Sequence, residues 1–166
     1  MIQKKICLIG AYAVGKTSVA ARFVKSIFSE KYHTTLGVKI DKKIVATARG
    51  EVMLMIWDLA GEDEFINMEL DYLRGAAGYL VVADGTRRSS LDRAIALQQR
   101  TRERIGSVPF LLLLNKVDLD AAWEIGDDDL RELVASGWRI ERTSAKTGAG
   151  VEAAFTALAE SLLDPP

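Results

Sequence analysis

Two rhythms of apolar and polar positions alternate along this chain. Lys4 to Ile9 closes in a continuous apolar run, and Tyr79 to Ala83, Val108 to Leu114 and Trp138 to Glu141 are of similar length. Glycine or charged residues flank these short runs, so they predict buried strands. Val38 to Ala48 alternates in part (Val38, Ile40, Ile44, Ala46), and Val52 to Trp57 puts Val52, Leu54 and Ile56 on one face. Ala48-Arg49-Gly50-Glu51 between them reads as a hairpin turn. The second rhythm is helical. It covers Lys16 to Ser26, Phe65 to about Arg74, Ser90 to Ile105 (Leu91, Ile95, Leu97, Ile105), Asp127 to Ser136 and Gly150 to Leu163 (Val151, Phe155, Leu158, Leu162). Ser89 or Ser90 is the expected N-cap of the third helix, and Gly137 the stop of the fourth. Phe28 to Leu36 and Asp58 to Glu64 show neither period and are expected loops.

Strands alternating with helices, the central ones continuously apolar, predict an α/β fold. The expected sheet has six strands, mostly parallel, with one antiparallel edge strand and helices on both faces. Composition narrows the class. The chain has 166 residues, 49% apolar and 27% charged, which suits one domain spanning residues 1–166. A net charge of −1 gives no global attraction to nucleic acid or anionic lipid. The lone Cys7 has no disulfide partner and reads as a small buried hydrophobe in a reducing cytoplasm. No run approaches a membrane span, Ile2 stands where myristoylation needs glycine, and the last residues offer no cysteine to prenylate. No direct membrane anchor and no nucleic-acid partner are therefore expected, and a monomer is the default.

Gly10 to Ser18 reads Gly-Ala-Tyr-Ala-Val-Gly-Lys-Thr-Ser, fitting G-x-x-x-x-G-K-[ST] between an apolar run and a helical pattern. In this context the motif is a phosphate-binding loop, giving a P-loop NTPase fold. Gly10 and Gly15 let backbone N–H groups face phosphate oxygens, and the helix N-terminus adds its positive dipole end. Lys16 supplies a full charge, and the Thr17 hydroxyl suits Mg²⁺.

Four further segments lie at expected strand ends or before the edge strand, where such sheets bind ligands. Asp58-Leu59-Ala60-Gly61 is a Walker-B arrangement: Asp58 for Mg²⁺, the Gly61 amide for a γ-phosphate. Asn115-Lys116-Val117-Asp118 follows a hydrophobic strand. Its Asp118 carboxylate is suited to accept from the N1–H and 2-amino groups of guanine, which adenine lacks. The Lys116 stem is placed to lie over the base. Thr143-Ser144-Ala145-Lys146 offers a backbone amide to the guanine O6, with Ser144 supporting the Asp118 loop. In Phe28 to Gly37, Thr35 brings a hydroxyl toward Mg²⁺ and Phe28 an apolar ring toward the base; each also has an ordinary reading, as loop and as core.

With these segments in order, the chain resembles the Ras superfamily of small GTPases over essentially its whole length. Tyr32-His33-Thr34-Thr35-Leu36-Gly37-Val38 is similar to Y-x-S-T-I-G-V of the Rab-like branch, Ile56-Trp57-Asp58-Leu59-Ala60-Gly61 to I-W-D-T-A-G, and Tyr72-Leu73-Arg74-Gly75-Ala76 to Y-Y-R-G-A. The resemblance implies a GTP/GDP switch with Mg²⁺. Thr17, Thr35 and Asp58 would hold the metal. Gly10, Tyr12, Ala13, Val14, Gly15, Lys16, Thr17, Ser18, Phe28, Tyr32, Thr35, Gly61, Asn115, Lys116, Asp118, Ser144, Ala145 and Lys146 would contact nucleotide. Lys16, Thr35, Gly61 and Glu62 would serve hydrolysis. Protein effectors and regulators would read the two switch loops, the edge strand at Val38 to Lys43, Trp57 and Tyr72.

Two positions depart from the family pattern. Glu62 stands where most relatives have a glutamine that orients the attacking water; a carboxylate accepts from water but donates nothing to the transferred phosphoryl group, so slow intrinsic hydrolysis is expected. Tyr12 replaces a common glycine beside the γ-phosphate. Two readings stay open: a slow GTPase switch, or a nearly inert GTP/GDP-binding module whose state is set by exchange or partners. A P-loop kinase or ATPase is the third, disfavoured by Asn115 and Asp118. His33, the only histidine, reads as a loop residue, Asp127-Asp128-Asp129 as helix capping, and the arginines near 87–88 and 100–104 as a solvated face.

Overall fold

The computed structural model describes residues 1–11, 13–24, 32–33, 38–59 and 71–164, with the backbone alone at 32–33. Seven strands form one sheet: β1 (Ile2–Gly10), β2 (Tyr32–His33), β3 (Lys39–Thr47), β4 (Gly50–Asp58), β5 (Gly78–Asp84), β6 (Phe110–Asn115) and β7 (Ile140–Arg142). Their order is β2-β3-β4-β1-β5-β6-β7. Among the described residues the helices are α1 (Lys16–Val24), α2 (Arg88–Ile105), α3 (Asp127–Ala135) and α4 (Val151–Leu162), with a 3-10 turn at Asp120–Ala122.

The six expected strands are all present. Only β3 runs against the rest, pairing antiparallel with β4 from Lys39↔Asp58 to Thr47↔Gly50. The seventh strand corrects the loop expected over Phe28 to Leu36: Tyr32 and His33 pair with Ile40 and Lys39. Two residues carry no readable period, so pairing this short leaves no hydrophobic signature. Gly50 sits at φ +115 past the hairpin turn, where Thr47 Oγ1 donates to its carbonyl at 2.7 Å.

Successive residues of a strand face opposite ways, and both faces are covered. Along β1, Ile6 and Leu8 join one core with Leu54, Val82 and Leu113, closed by α1 and α4, while Cys7 and Ile9 join the other with Val81 and Leu112, closed by α2 and α3. That is why the central strands read as unbroken apolar runs. Phe23 of α1 stacks on Phe155 of α4 with ring centroids 3.9 Å apart, tying the two helices. Cys7 is fully buried, and burial pushes its thiol up to about 12, as suits an inert packing residue.

One cap differs from expectation. Arg87 occupies the N-cap of α2, and Ser90 lies inside the helix. The Ser90 hydroxyl accepts from the Asp84 amide at 2.8 Å and makes short contacts with the Asp84 and Arg87 carbonyls. Sequence spacing could not separate capping from a buried clasp on the end of β5. At α3 the acidic run does cap: Asp129 Oδ2 accepts from the Gly126 amide at 2.9 Å, and Gly137 follows the helix at φ +90. The expected helix at Phe65–Arg74 falls mostly outside the described residues. Asp71 and Tyr72 are helical and Gly75 turns the chain at φ +81.

Parallel pairing of β1 with β4 and β5, of β5 with β6, and of β6 with β7 places Gly10, Asp58, Asp84, Asn115 and Thr143 along one rim of the sheet.

Candidate functional site

The rim begins where β1 turns into α1. Both motif glycines are required by close approach. A Cβ on Gly10 would lie 2.4 Å from the Val82 carbonyl oxygen. A Cβ on Gly15 would lie 2.3 Å from Asn115 Nδ2, and Gly15 sits at φ +97, which disfavours any other residue. Ala13, also in the loop, adopts φ 62. The Gly15 carbonyl accepts from Val19 at 2.8 Å and so starts α1, whose first residues are Lys16 and Thr17. Lys16 is buried, and Ser18 lines the adjoining groove.

At the end of β4, Asp58 is buried and its Oδ2 accepts from Thr17 Oγ1 at 2.6 Å. A hydroxyl from the helix start and a carboxylate from a strand end thus meet beside the phosphate loop. This all-oxygen pair fits Mg²⁺, which uses few protein ligands and completes its shell with water and substrate phosphates. Among the described residues no cluster of three His, Cys, Asp or Glu is placed to hold a metal.

Asn115 joins the two ends of the site. It is buried at the end of β6; its Nδ2 donates to the Val14 carbonyl at 3.0 Å, and its Oδ1 accepts from Thr143 Oγ1 at 3.1 Å and the Ala145 amide at 3.3 Å. Lys116 follows at φ 72. Its Nζ reaches the Ala13 carbonyl at 3.1 Å and Asp84 Oδ2 at 2.8 Å. Ser144 Oγ donates to Asp118 Oδ1 at 2.7 Å. Between these residues runs a groove of about 410 Å³ lined by Gly15, Ser18, Asn115, Lys116, Asp118, Leu119, Ala145 and Lys146.

Sequence reading missed Asp84, and it named Thr143 only as the start of the base-reading segment. Asp84 is 1% exposed and accepts from Lys116 Nζ, from the Thr86 amide at 2.9 Å, from Thr86 Oγ1 at 2.6 Å and from Arg87 Nε at 3.2 Å. Burial pushes its carboxyl upward, but the Lys116 and Thr86 hydrogen bonds outweigh it and hold Asp84 below the usual carboxylate value. The signal was present: a carboxylate closing a buried apolar run, then Gly85-Thr86. Its partner lay 32 residues away, beyond local patterning.

Of the sequence-predicted set, Gly10, Ala13, Val14, Gly15, Lys16, Thr17, Ser18, Asp58, Asn115, Lys116, Asp118, Ser144, Ala145 and Lys146 all lie on this rim. Tyr12, Phe28, Thr35, Gly61 and Glu62 lie outside the described residues. Of Tyr32 only the backbone is described, as the first residue of β2. Trp57 and Tyr72, expected as contact anchors or as packing, are partly buried with ring centroids 6.0 Å apart against the second core.

The sequence profile of the Ras family matches residues 5–164. The Ras-related protein Rab-1 of Theileria parva is 34% identical over 163 residues, covering 96% of this chain and 74% of the relative. The Rab-1 of Theileria annulata is 35% identical over the same shares. The dog Ras-related protein Rab-13 is 32% identical over 161 residues, 96% of this chain and 79% of the relative.

Proposed function

The chain belongs to the Ras family of small GTPases, Rab-like by its relatives, and is a GTP-binding, GTP-hydrolysing switch; from that premise we propose which of its residues do the work. One observation carries the proposal. Asn115 bonds the phosphate loop at Val14 and the Ala145 amide at once, so phosphate-reading and base-reading segments are braced against one groove. A nucleotide spanning it meets Gly15, Lys16 and Thr17 at its phosphates and Asp118 and Ala145 at its base.

Lys16 and the amides at the start of α1 attract the phosphates. Thr17 and Asp58 would hold Mg²⁺, joined by Thr35 of the first switch, and the bound ion would supply positive charge against the phosphate oxygens. Asp118 takes the two guanine donors, held toward them by Ser144, and Ala145 donates to O6. Lys116 is pinned by Asp84 and the Ala13 carbonyl, so its stem spans from the base end to the phosphate loop. The Gly61 amide orients the γ-phosphate. Glu62 orients water poorly because a carboxylate has no proton to donate, so intrinsic turnover is slow, and Tyr12 crowds an arginine supplied in trans.

The same residues 1–166 act as one GTPase domain. Effectors and regulators read the switch segments, β3, Trp57 and Tyr72. Among the described residues no helix is long and apolar enough to cross a membrane; we place the activity in the cytoplasm, a compartment with which a lone buried cysteine is compatible. Single-turnover cleavage of GTP, followed for hours, tests the catalytic part. Slow but complete conversion supports it, with Glu62→Gln accelerating it. No conversion in either form would leave only a nucleotide-binding module.

A further inference from the structure

The base-reading segment 144–149 is held from two sides, and one of them lies outside the nucleotide groove. Within itself it is a tight turn: the Gly148 amide donates to the Ser144 carbonyl at 2.8 Å, the Ser144 amide to the Ala149 carbonyl at 2.9 Å, and the Thr147 amide to Ser144 Oγ at 3.1 Å. Its groove side meets Asn115 and Asp118. Its outer side meets Arg22, in the last turn of α1, whose Nη2 donates to the Thr147 carbonyl at 3.0 Å. The Nε–Nη2 edge of the guanidinium also approaches Gly148. A Cβ there would come 2.8 Å from Nη2 and 2.9 Å from Nε, and Gly148 sits at φ +89. The hydrogen bond and the bare α-carbon point to one built contact.

We propose that Arg22 is a positioning residue that sets the lifetime of bound guanine nucleotide by clamping the base-reading turn from behind. This rests on the nucleotide site described above. α1 begins at Lys16 and Thr17 and ends on Thr147, so the helix that carries the phosphate-binding residues also braces the segment that reads the base. Arg22 itself is absent from the groove lining. Loosening its contact lets the turn 144–148 swing. Two base contacts then weaken together: the Ala145 amide, and Asp118 through Ser144. A charged donor is needed to hold a carbonyl at a partly wet surface, and only the two-nitrogen edge of a guanidinium also covers the bare glycine beside it. Lysine reproduces the first feature and not the second.

The test is release of a fluorescent GDP from wild type, Arg22→Met and Arg22→Lys, chased with excess GDP at fixed Mg²⁺, with the melting temperature of each GDP-saturated protein. Arg22→Met should release GDP about tenfold faster or more, the effect of losing one charge-assisted hydrogen bond. Arg22→Lys should fall between. The Mg²⁺ concentration needed to retain GDP should stay the same in all three, because the loss is at the base end. Equal release rates in wild type and Arg22→Met would overturn the proposal. So would a shifted Mg²⁺ requirement, which would place the effect at the phosphate end, or a faster release matched by an equal loss of melting temperature in both variants, which would make Arg22 a plain stability residue. Failure of wild type to bind GDP would instead defeat the nucleotide reading beneath it.

Discussion

Gly15 and Asn115 compete for one volume, and that makes a quantitative prediction. A Cβ on Gly15 would stand 2.3 Å from Asn115 Nδ2, at a residue with φ +97. Gly15→Ala therefore carries two costs: about 1–2 kcal/mol for the left-handed backbone, and about 1–3 kcal/mol for overpacking against the amide. Their sum is about 3 kcal/mol. Asn115→Ala removes the side-chain bonds to Val14, Thr143 and Ala145. At about 1 kcal/mol each, it costs about 3 kcal/mol. Independent effects would total about 6 kcal/mol in the double variant. With the amide gone the overpacking vanishes and only the backbone cost remains, so the double variant should lose about 4 kcal/mol, a coupling of about 2 kcal/mol. Urea unfolding of the four proteins at two GDP concentrations measures this, the second concentration removing the contribution of bound ligand. Simple additivity would show that the Asn115 amide does not fill the space over Gly15.

Other expectations follow from single contacts. Asp84→Asn removes a carboxylate held below its usual value. A depressed folded value stabilises above the unfolded value, and that stability is lost as pH falls through the folded one; the urea-midpoint gap between wild type and Asp84→Asn should therefore be full at neutral pH and close only below the ordinary carboxylate range. Closure already at mildly acidic pH would mean that the Asp84 carboxyl is raised rather than lowered. Thr17→Ala, losing a hydroxyl that meets Asp58 at 2.6 Å, should raise the Mg²⁺ needed to retain GDP at least tenfold, read by EDTA titration of a fluorescent GDP complex. Asp118→Asn exchanges an acceptor for an amide donor and should move preference from guanine to xanthine diphosphate, by about 2 kcal/mol or more in relative affinity. Gly10→Ala, with a Cβ 2.4 Å from the Val82 carbonyl, should lower the melting temperature by several degrees and leave base selectivity intact.

Much of this was legible in the sequence because the signals are local. The phosphate loop is nine consecutive residues, and Asn115 to Asp118 are four. Strands buried on both faces announce themselves as unbroken apolar runs, which is how Ile6 to Ile9 and Leu111 to Leu114 were readable. What stayed hidden depends on partners distant in the chain. Asp84 matters through Lys116, Ser90 through the end of β5, and Arg22 through Thr147, 125 residues away. A serine near a helix start looks like a cap until the fold shows it buried against a strand. Asn115 carries a role that its motif does not display: besides lining the groove, it braces the phosphate loop against the base segment.

The most direct test of the central claim is the comparison of two ligands differing only in base. Titrations of fluorescent GDP and fluorescent ADP into the Mg²⁺-containing protein should show GDP bound at least a thousandfold more tightly, because adenine, once it covers Asp118, leaves that carboxylate unpaired. Equal affinity for the two would contradict the assignment of Asp118 and Ala145 as readers of guanine, and with it the account of this groove.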